Sequence, residues 1–282
     1  MDRTHSITSL SEHACFGGVQ GFYRHDSVAT GTGMKFGVFV PQAKHAPVPM
    51  LFYLAGLTCT EETFAIKAGA QRYAAEHGMV TPDTSPRNTA VEGADAAWDF
   101  GTDAGFYFDA TEAPWRPHWR MASYVTRELR ALVLQHFNAR ADRVGLFGHS
   151  MGGHGALTLA LNNPGMYESV SAFAPIAAPM QCPWGVKAFS GHLGEDRKTW
   201  ARVDATELVK AGARVPPLLI DQGLADPFLA EQLHPHLFEA ACVEAGQPLT
   251  LRRHGGYDRG YLFIATFMAD HIAHHARHLK AD

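Results

Sequence analysis

Residues 148–152 carry the clearest catalytic pattern in this sequence. They read Gly-His-Ser-Met-Gly, a G-x-S-x-G pattern that holds a nucleophilic serine in a sharp turn between a strand and a helix. The context fits, because a strand-like apolar run lies before it at 144–147 and a helix-like run follows at 153–161. The sequence therefore predicts that Ser150 is a nucleophile, with the positive end of the following helix directed at its oxygen. Taken alone, the pattern would also suit a plain glycine-rich turn.

Strands alternate with helices along most of the chain. This alternation predicts an α/β fold, with a mostly parallel central sheet covered by helices on both faces. We see no internal repeat and no linker, so we expect residues 1–282 to form a single domain. The pattern predicts long helices over 65–77, 122–137, 228–245 and 261–280, and irregular segments over 84–120 and 175–216.

A serine nucleophile needs hydrogen-bond donors for the negative charge that develops on the substrate oxygen. In α/β-hydrolases one donor is the backbone N–H after the serine, and the other lies in a loop after an early strand. Met151 and Leu57 occupy these positions here. We therefore expect the hydroxyl of Ser150 to be presented at an edge of the sheet, facing these two N–H groups.

The serine also needs a base, and the base needs an acid that orients it. In this fold the order along the chain is serine, acid, histidine. Asp226 lies in a loop beyond the strand run at 218–220, which is the expected place for the acid. Asp221 is the competing residue, but its position at the strand end favours a role in fixing loop backbone.

The base should lie in the segment 254–261, between the last strand and the last helix. At this point the chain resembles the S-formylglutathione hydrolase (esterase D) family of α/β-hydrolases. The resemblance covers nearly the whole chain and rests on several stretches, at 56–60, 68–71, 82–87, 148–157, 182–185, 187–191 and 221–226. It implies a serine thioesterase and carboxylesterase that hydrolyses S-formylglutathione in formaldehyde detoxification. It also implies a homodimer that acts on a small thioester or ester and needs no cofactor.

The chain departs from the family pattern at the base. The family has Gly-Tyr-Asp-His in this segment, whereas here Tyr257 and Asp258 are followed by Arg259. A guanidinium with a pKa above ~12 does not accept a proton near neutral pH. Arg259 is therefore expected to pair with Asp226 and to leave Ser150 without a base. The chain is then an impaired hydrolase, a non-catalytic relative that binds glutathione-like or acyl ligands, or a working scaffold into which Arg259 was introduced.

His254 is the candidate for a surrogate base. It precedes Arg259 by five residues, which can span roughly 15 Å when extended, and a Gly-Gly pair follows it. The alternative is that His254 is a polar residue at a strand end. His149 and His154 flank the nucleophile, but the resemblance implies that both are structural neighbours.

Several residues could form an acyl pocket around the serine. Cys59, Trp98 and Trp184 are the candidates, while the aromatic residues at 106, 107, 115 and 119 could line the pocket or pack on the core. Cys59 could equally be a small buried apolar residue.

The overall composition favours a cytoplasmic enzyme. The net charge of −4 and the absence of a clustered basic surface argue against a nucleic-acid partner. The four cysteines are scattered, as in a reduced protein, and neither a signal peptide nor a membrane-length apolar run is seen. Four histidines in the last predicted helix have metal-like spacing, but the polar composition of that helix favours a solvated face, so no metal is expected.

Overall fold

The computed structural model describes residues 6–42, 46–87 and 90–280. Within these residues, nine strands form one sheet in the order β1-β2-β3-β5-β4-β6-β7-β8-β9. The strands are β1 (Thr8–Cys15), β2 (Gly18–Asp26), β3 (Gly33–Val40), β4 (Val48–Leu54), β5 (Thr81–Thr84), β6 (Ala139–His149), β7 (Ser169–Phe173), β8 (Leu218–Gly223) and β9 (Leu249–His254). Strands β4 to β9 run parallel to one another. Strands β1, β2 and β3 extend the sheet through antiparallel pairs, and β3 pairs antiparallel with β5. The predicted α/β fold with a mostly parallel sheet is confirmed.

Apolar residues of the central strands supply a core on each face of the sheet. Along β4, Met50 and Phe52 pack into one hydrophobic cluster, whereas Leu51 and Tyr53 pack into another. Side chains alternate between the faces of a strand, so a continuous apolar run can fill both cores at once. This explains why β4 carries no polar alternation in the sequence.

Helices cover both faces of the sheet. They are α1 (Glu61–Lys67), α2 (Ala70–His77), α3 (Met121–Ser123), α4 (Arg130–His136), α5 (Met151–Asn162), α6 (Pro183–Leu193), α7 (Arg197–Ala201), α8 (Ala205–Lys210), α9 (Pro235–Ala245) and α10 (Tyr261–Leu279). A π-helical segment, Tyr124–Leu129, joins α3 to α4 and makes the predicted helix over 122–137 continuous. Among the described residues, every helix is too short or too polar to span a bilayer.

Three predicted elements were wrong in detail. The helix predicted over 65–77 is two helices, because Gly69 adopts a left-handed conformation (φ 66°) that ends the first and starts the second. The helix predicted over 228–245 is likewise interrupted, at His234 (φ 47°). The segment 175–216 was predicted to be irregular but contains α6, α7 and α8. The segment 84–120 is mostly irregular as predicted, with residues 88 and 89 outside the described part.

Three of the four histidines of α10 are buried and not on a solvated face, so that expectation was wrong for them. His271 and His275 are fully buried and His274 nearly so. The hydroxyl of Ser171 on β7 lies 2.8 Å from both His271 Nδ1 and His275 Nε2. A helix with polar side chains can face a sheet when the sheet presents partners for them. No group of three or more His, Cys, Asp or Glu in the described part of the chain is arranged to hold a metal ion.

Candidate active site

Ser150 sits in a strained turn between β6 and α5. Its backbone angles are φ 58° and ψ −115°, and its N–H donates a 2.9 Å hydrogen bond to the carbonyl of Phe173 on β7. A positive φ is uncommon for a residue with a Cβ and is found where the surroundings hold it in place. The G-x-S-x-G pattern therefore lies in the strand–turn–helix context that the sequence predicted.

The two glycines of the pattern permit this turn. A Cβ on Gly148 would overlap the backbone carbonyl of Gly152, and a Cβ on Gly152 would overlap the carbonyl of Leu54 at the end of β4. Backbone atoms of a buried strand cannot move aside as a flexible side chain can. Both positions therefore need glycine for close approach, as expected from the sequence.

The hydroxyl of Ser150 is covered, which differs from the expected open presentation. Ser150 is 0% exposed, and Arg259 Nη2 donates a hydrogen bond to its Oγ. The physical reason is the size of Arg259, whose guanidinium extends over the turn. Arg259 itself is largely buried, with its side chain 15% exposed.

Asp226 lies behind Arg259. Its Oδ2 is 4.0 Å from Arg259 Nε, and its side chain has no exposed surface. The carboxylate also accepts hydrogen bonds from the N–H of Phe228 at 2.8 Å and from Gln222 Nε2 at 3.4 Å. These contacts place the carboxylate next to position 259, as the family pattern implies for the acid.

Arg259 is held as a cation between aromatic rings and the carboxylate. Its Cζ lies 4.9 Å from the ring centre of Phe228 and 5.9 Å from that of Trp184. Burial lowers the pKa of Arg259, while the negative charge of Asp226 acts in the opposite direction. A guanidinium with these neighbours remains protonated near neutral pH, so it can donate to Ser150 but cannot take its proton.

His254 does not lie beside the nucleophile. Its Nε2 is 3.2 Å from Asp221 Oδ1, and its ring stacks on Phe267 with 3.9 Å between centroids. The structure therefore brings the candidate surrogate base to the other aspartate. His254 thus fits the alternative interpretation from the sequence, in which it is a polar residue held at a strand end.

Among the described residues, the side chain of Asp221 contacts other side chains and not loop backbone, which corrects the role expected for it. Arg252 Nε and Nη2 donate hydrogen bonds to its carboxylate at 2.6 and 2.5 Å, and His271 Nε2 lies 3.3 Å away. Burial raises the pKa of Asp221, but the hydrogen bonds and charges of His271 and Arg252 outweigh burial and hold that pKa well below its usual range. Asp221 thus joins β8 to β9 and α10 as an ion-pair centre.

The histidines that flank the nucleophile are poor bases. His154 Nε2 lies 2.7 Å from the carbonyl of Val203, and burial lowers the pKa of its ring to about 4. Burial, together with the charge of Arg259, lowers the pKa of His149 to about 3. Both rings are therefore neutral structural groups near neutral pH, as the sequence analysis expected.

The loop after β4 borders the nucleophile. A Cβ on Gly56 would lie 3.4 Å from the Cβ of Ser150, so Leu57, the next residue, is beside the turn. Met151 is the first residue of α5, whose N-terminal N–H groups face the same turn. Leu57 and Met151 remain the proposed oxyanion donors.

Of the three pocket candidates, Trp184 lies against the guanidinium that covers the serine, with its ring centre 5.9 Å from Arg259 Cζ. Trp98 packs edge-on against Trp184 with 5.8 Å between ring centroids, and Trp98 is 60% exposed. The hydroxyl of Tyr261 donates to Cys59 Sγ at 3.9 Å, and burial raises the pKa of that thiol. The aromatic residues at 106, 107 and 119 are instead buried in the core.

Sequence reasoning missed two residues of this site, Phe228 and Tyr261. Phe228 covers one side of the Arg259 guanidinium, and Tyr261 contacts Cys59. Each lies two residues from a position already singled out, Asp226 and Arg259 respectively. An aromatic residue so close to a proposed catalytic group was the available signal.

Comparison with known proteins gives a consistent result. A family model described as "Putative esterase" matches residues 27–274. An S-formylglutathione hydrolase from Rattus norvegicus is 52% identical over 281 residues, which cover 98% of this chain and 99% of that protein. One from Paracoccus denitrificans (strain Pd 1222) is 50% identical over 279 residues, covering 98% and 99%. The solved structure of an S-formylglutathione hydrolase from Agrobacterium tumefaciens has a TM-score of 0.94 and 49% identity, covering 96% of this chain and 99% of that chain.

Proposed function

Because this chain belongs to the S-formylglutathione hydrolase family of esterases, we propose that it is a serine thioesterase acting on S-formylglutathione, with turnover slowed by Arg259. The products are formate and glutathione, as in formaldehyde detoxification, and small carboxylic esters are further substrates. The proposal rests on one observation: Ser150 and Asp226 both contact the side chain at position 259, one on each side of it.

The reaction would follow a covalent route. Ser150 Oγ attacks the formyl carbon, and the N–H groups of Leu57 and Met151 stabilise the oxyanion. Collapse of this intermediate breaks the carbon–sulfur bond and releases the glutathione thiolate. Water then attacks the formyl-enzyme, which yields formate and frees the serine.

Arg259 slows both proton transfers of this route, because a guanidinium does not accept a proton near neutral pH. Attack requires that the hydroxyl lose its proton, and attack by water has the same requirement. A thiolate leaves readily, so expulsion of the leaving group needs little help from an acid. Loss of one triad member typically costs on the order of 10⁴ to 10⁶ in turnover, with a residual rate from the oxyanion hole and binding.

A second candidate function is a binding protein for acyl or glutathione-like ligands without turnover. One observation favours it: Ser150 has no exposed surface because the guanidinium lies over it. A ligand would have to displace Arg259 to reach the hydroxyl.

The deciding experiment compares four proteins, namely the chain itself, Arg259→His, His254→Ala and Ser150→Ala. Hydrolysis of S-formylglutathione and of p-nitrophenyl acetate is measured for each. A large gain in Arg259→His, with the chain near the level of Ser150→Ala, supports an impaired hydrolase. Strong activity of the chain that is lost in His254→Ala would instead support the surrogate base. Ligand binding without activity in any variant would support the binding protein.

We also propose that the chain acts in the cytoplasm as a homodimer and folds as one domain. The four cysteines are free thiols, which suits a reducing compartment. The dimer rests on the family resemblance, and light scattering coupled to gel filtration tests it. A single cooperative unfolding transition would support one domain.

A further inference from the structure

A charged cavity lies along the same edge of the sheet as the nucleophile. It has a volume of about 550 Å³ and is lined by both acidic and basic residues. Its charged and polar lining includes Arg24, Lys35, Thr60, Glu61, Ser85 and Arg87. None of these residues takes part in the chemistry proposed above.

The strand order fixes the direction and distance from Ser150 to this cavity. Ser150 follows β6, and Ser85 follows β5, with β4 between them. Two strand spacings amount to roughly 10 Å. The loop after β4 connects the two places, since Gly56 lies against Ser150 and Thr60 lines the cavity.

Glu61 places a buried negative charge in the wall of the cavity. Its side chain is 8% exposed, and the ion pair that it forms is with Lys35 Nζ at 4.0 Å, the outer limit for such a pair. A buried carboxylate is costly unless it is well paired. The site therefore suits a further cation, such as an ammonium group.

Asp83 is a second buried carboxyl group, and its pKa responds to the nearby Glu61. Asp83 is 2% exposed, and its Oδ1 has no hydrogen-bond partner among the described residues. Burial, with the charge of Glu61 nearby, raises the pKa of Asp83 well above its usual range. This shift favours the neutral form of Asp83, and Glu61 is the carboxyl group that lines the cavity where an ammonium group would enter.

Two arginines supply the opposite charge at the rim. Arg87 Nη1 donates to both carboxylate oxygens of Asp103, at 3.0 and 3.1 Å, and Arg24 Nη2 donates to Asp26 at 3.3 Å. Both arginines are about half exposed, so these surface pairs are weak and can rearrange. Each guanidinium has five N–H donors and matches a carboxylate well.

We propose that this cavity binds the zwitterionic amino-acid end of the peptide thiol that leaves during the reaction. Glu61 receives the α-ammonium group, and Arg87 receives the α-carboxylate. The thiol of glutathione is on its central residue, and the cysteine side chain plus the γ-glutamyl arm span roughly 10 Å when extended, which matches the separation from Ser150. This inference rests on the proposed function, because glutathione is the thiol part of the proposed substrate.

Calorimetric titration with glutathione tests the subsite without requiring turnover. The full chain, Glu61→Gln, Arg87→Gln and the control Glu244→Gln, an exposed acid on α9, are titrated with glutathione and with N-acetylglutathione. We expect Glu61→Gln and Arg87→Gln each to weaken glutathione binding at least tenfold, with Glu244→Gln unchanged. Blocking the amine should weaken binding to the full chain but not to Glu61→Gln. Equal binding by the full chain and Glu61→Gln, or no binding by the full chain, would overturn the subsite.

Kinetics in the Arg259→His background separate this inference from the proposed function. If that variant hydrolyses S-formylglutathione, adding Glu61→Gln should raise KM for it at least tenfold, whereas adding the control Glu244→Gln should leave both that KM and p-nitrophenyl acetate hydrolysis unchanged. An unchanged KM would overturn the subsite and leave the function standing. Binding of glutathione through Glu61 with no hydrolysis in any background would support the subsite and remove the function.

Discussion

Arg259 Nε lies 4.0 Å from Asp226 Oδ2, while Nη2 of the same guanidinium donates to Ser150 Oγ. The guanidinium therefore connects the proposed acid to the proposed nucleophile, at the position where the family pattern has an imidazole. An imidazole can take the proton of the hydroxyl and return it, whereas a guanidinium only donates. The chain thus keeps both ends of the proposed triad and lacks the group that transfers the proton.

The role of Asp226 can be tested once a base is restored. In the Arg259→His background, Asp226→Asn should reduce kcat by roughly 10⁴, because the imidazole loses the carboxylate that sets its tautomer. Asp142→Asn is the matched control, since Asp142 is an exposed residue early in β6. Steady-state kinetics with p-nitrophenyl acetate provide the measurement. A fall of less than tenfold for Asp226→Asn would assign the acid to another residue.

The chain should stall as an acyl-enzyme when it reacts at all. Removal of the acyl group needs a base just as its addition does, and Arg259 cannot serve in either step. Prolonged incubation with p-nitrophenyl acetate should therefore add one acetyl group per chain, seen by intact-protein mass spectrometry. Ser150→Ala should remain unmodified, and Arg259→His should turn over with little accumulation. Sustained turnover by a chain of unchanged mass would disprove this prediction.

Local patterns were sufficient to predict the nucleophile turn but not the contacts around it. The turn at Ser150 depends on two glycines within two residues of it, so its signal is contained in the sequence. The contact of His254 with Asp221 joins two neighbouring strands and depends on their register, which the sequence does not state. His271 was placed on the surface because its helix is polar, yet β7 and β8 supply partners for its ring. Buried polar networks are predicted poorly because composition records polarity and not the partner.

Close packing of the nucleophile turn gives a prediction for stability. Gly152→Ala should lower the free energy of unfolding by about 1–3 kcal/mol or more, because the new Cβ overlaps the carbonyl of Leu54. The melting temperature should fall by several degrees in differential scanning fluorimetry. Gly255→Ala is the matched control, since a Cβ there meets no atom within 4 Å and its φ is not positive. Equal melting temperatures for the two variants would show that the turn can open without cost.

The histidines between α10 and the sheet make stability depend on pH. Burial lowers the pKa of His274 to about 4 and that of His275 well below its usual range, and it also lowers the pKa of His271. An unfolded histidine has a pKa of about 6.5. Above that pH both states are neutral, and stability from these groups is fully present. Below it only the unfolded chain takes up protons, so acid destabilises the folded chain.

We therefore expect the melting temperature to fall steadily as the pH is lowered from about 6.5 toward 4. Each such histidine contributes a slope of ~1.4 kcal/mol per pH unit to the free energy of unfolding. Scanning calorimetry across this range should give a shallower slope for His275→Gln, because one buried ring no longer titrates on unfolding. His13→Gln should keep the original slope, since His13 is exposed on β1. The same slope for the chain and for His275→Gln would mean that other buried histidines, such as His149 and His154, control acid unfolding in this range.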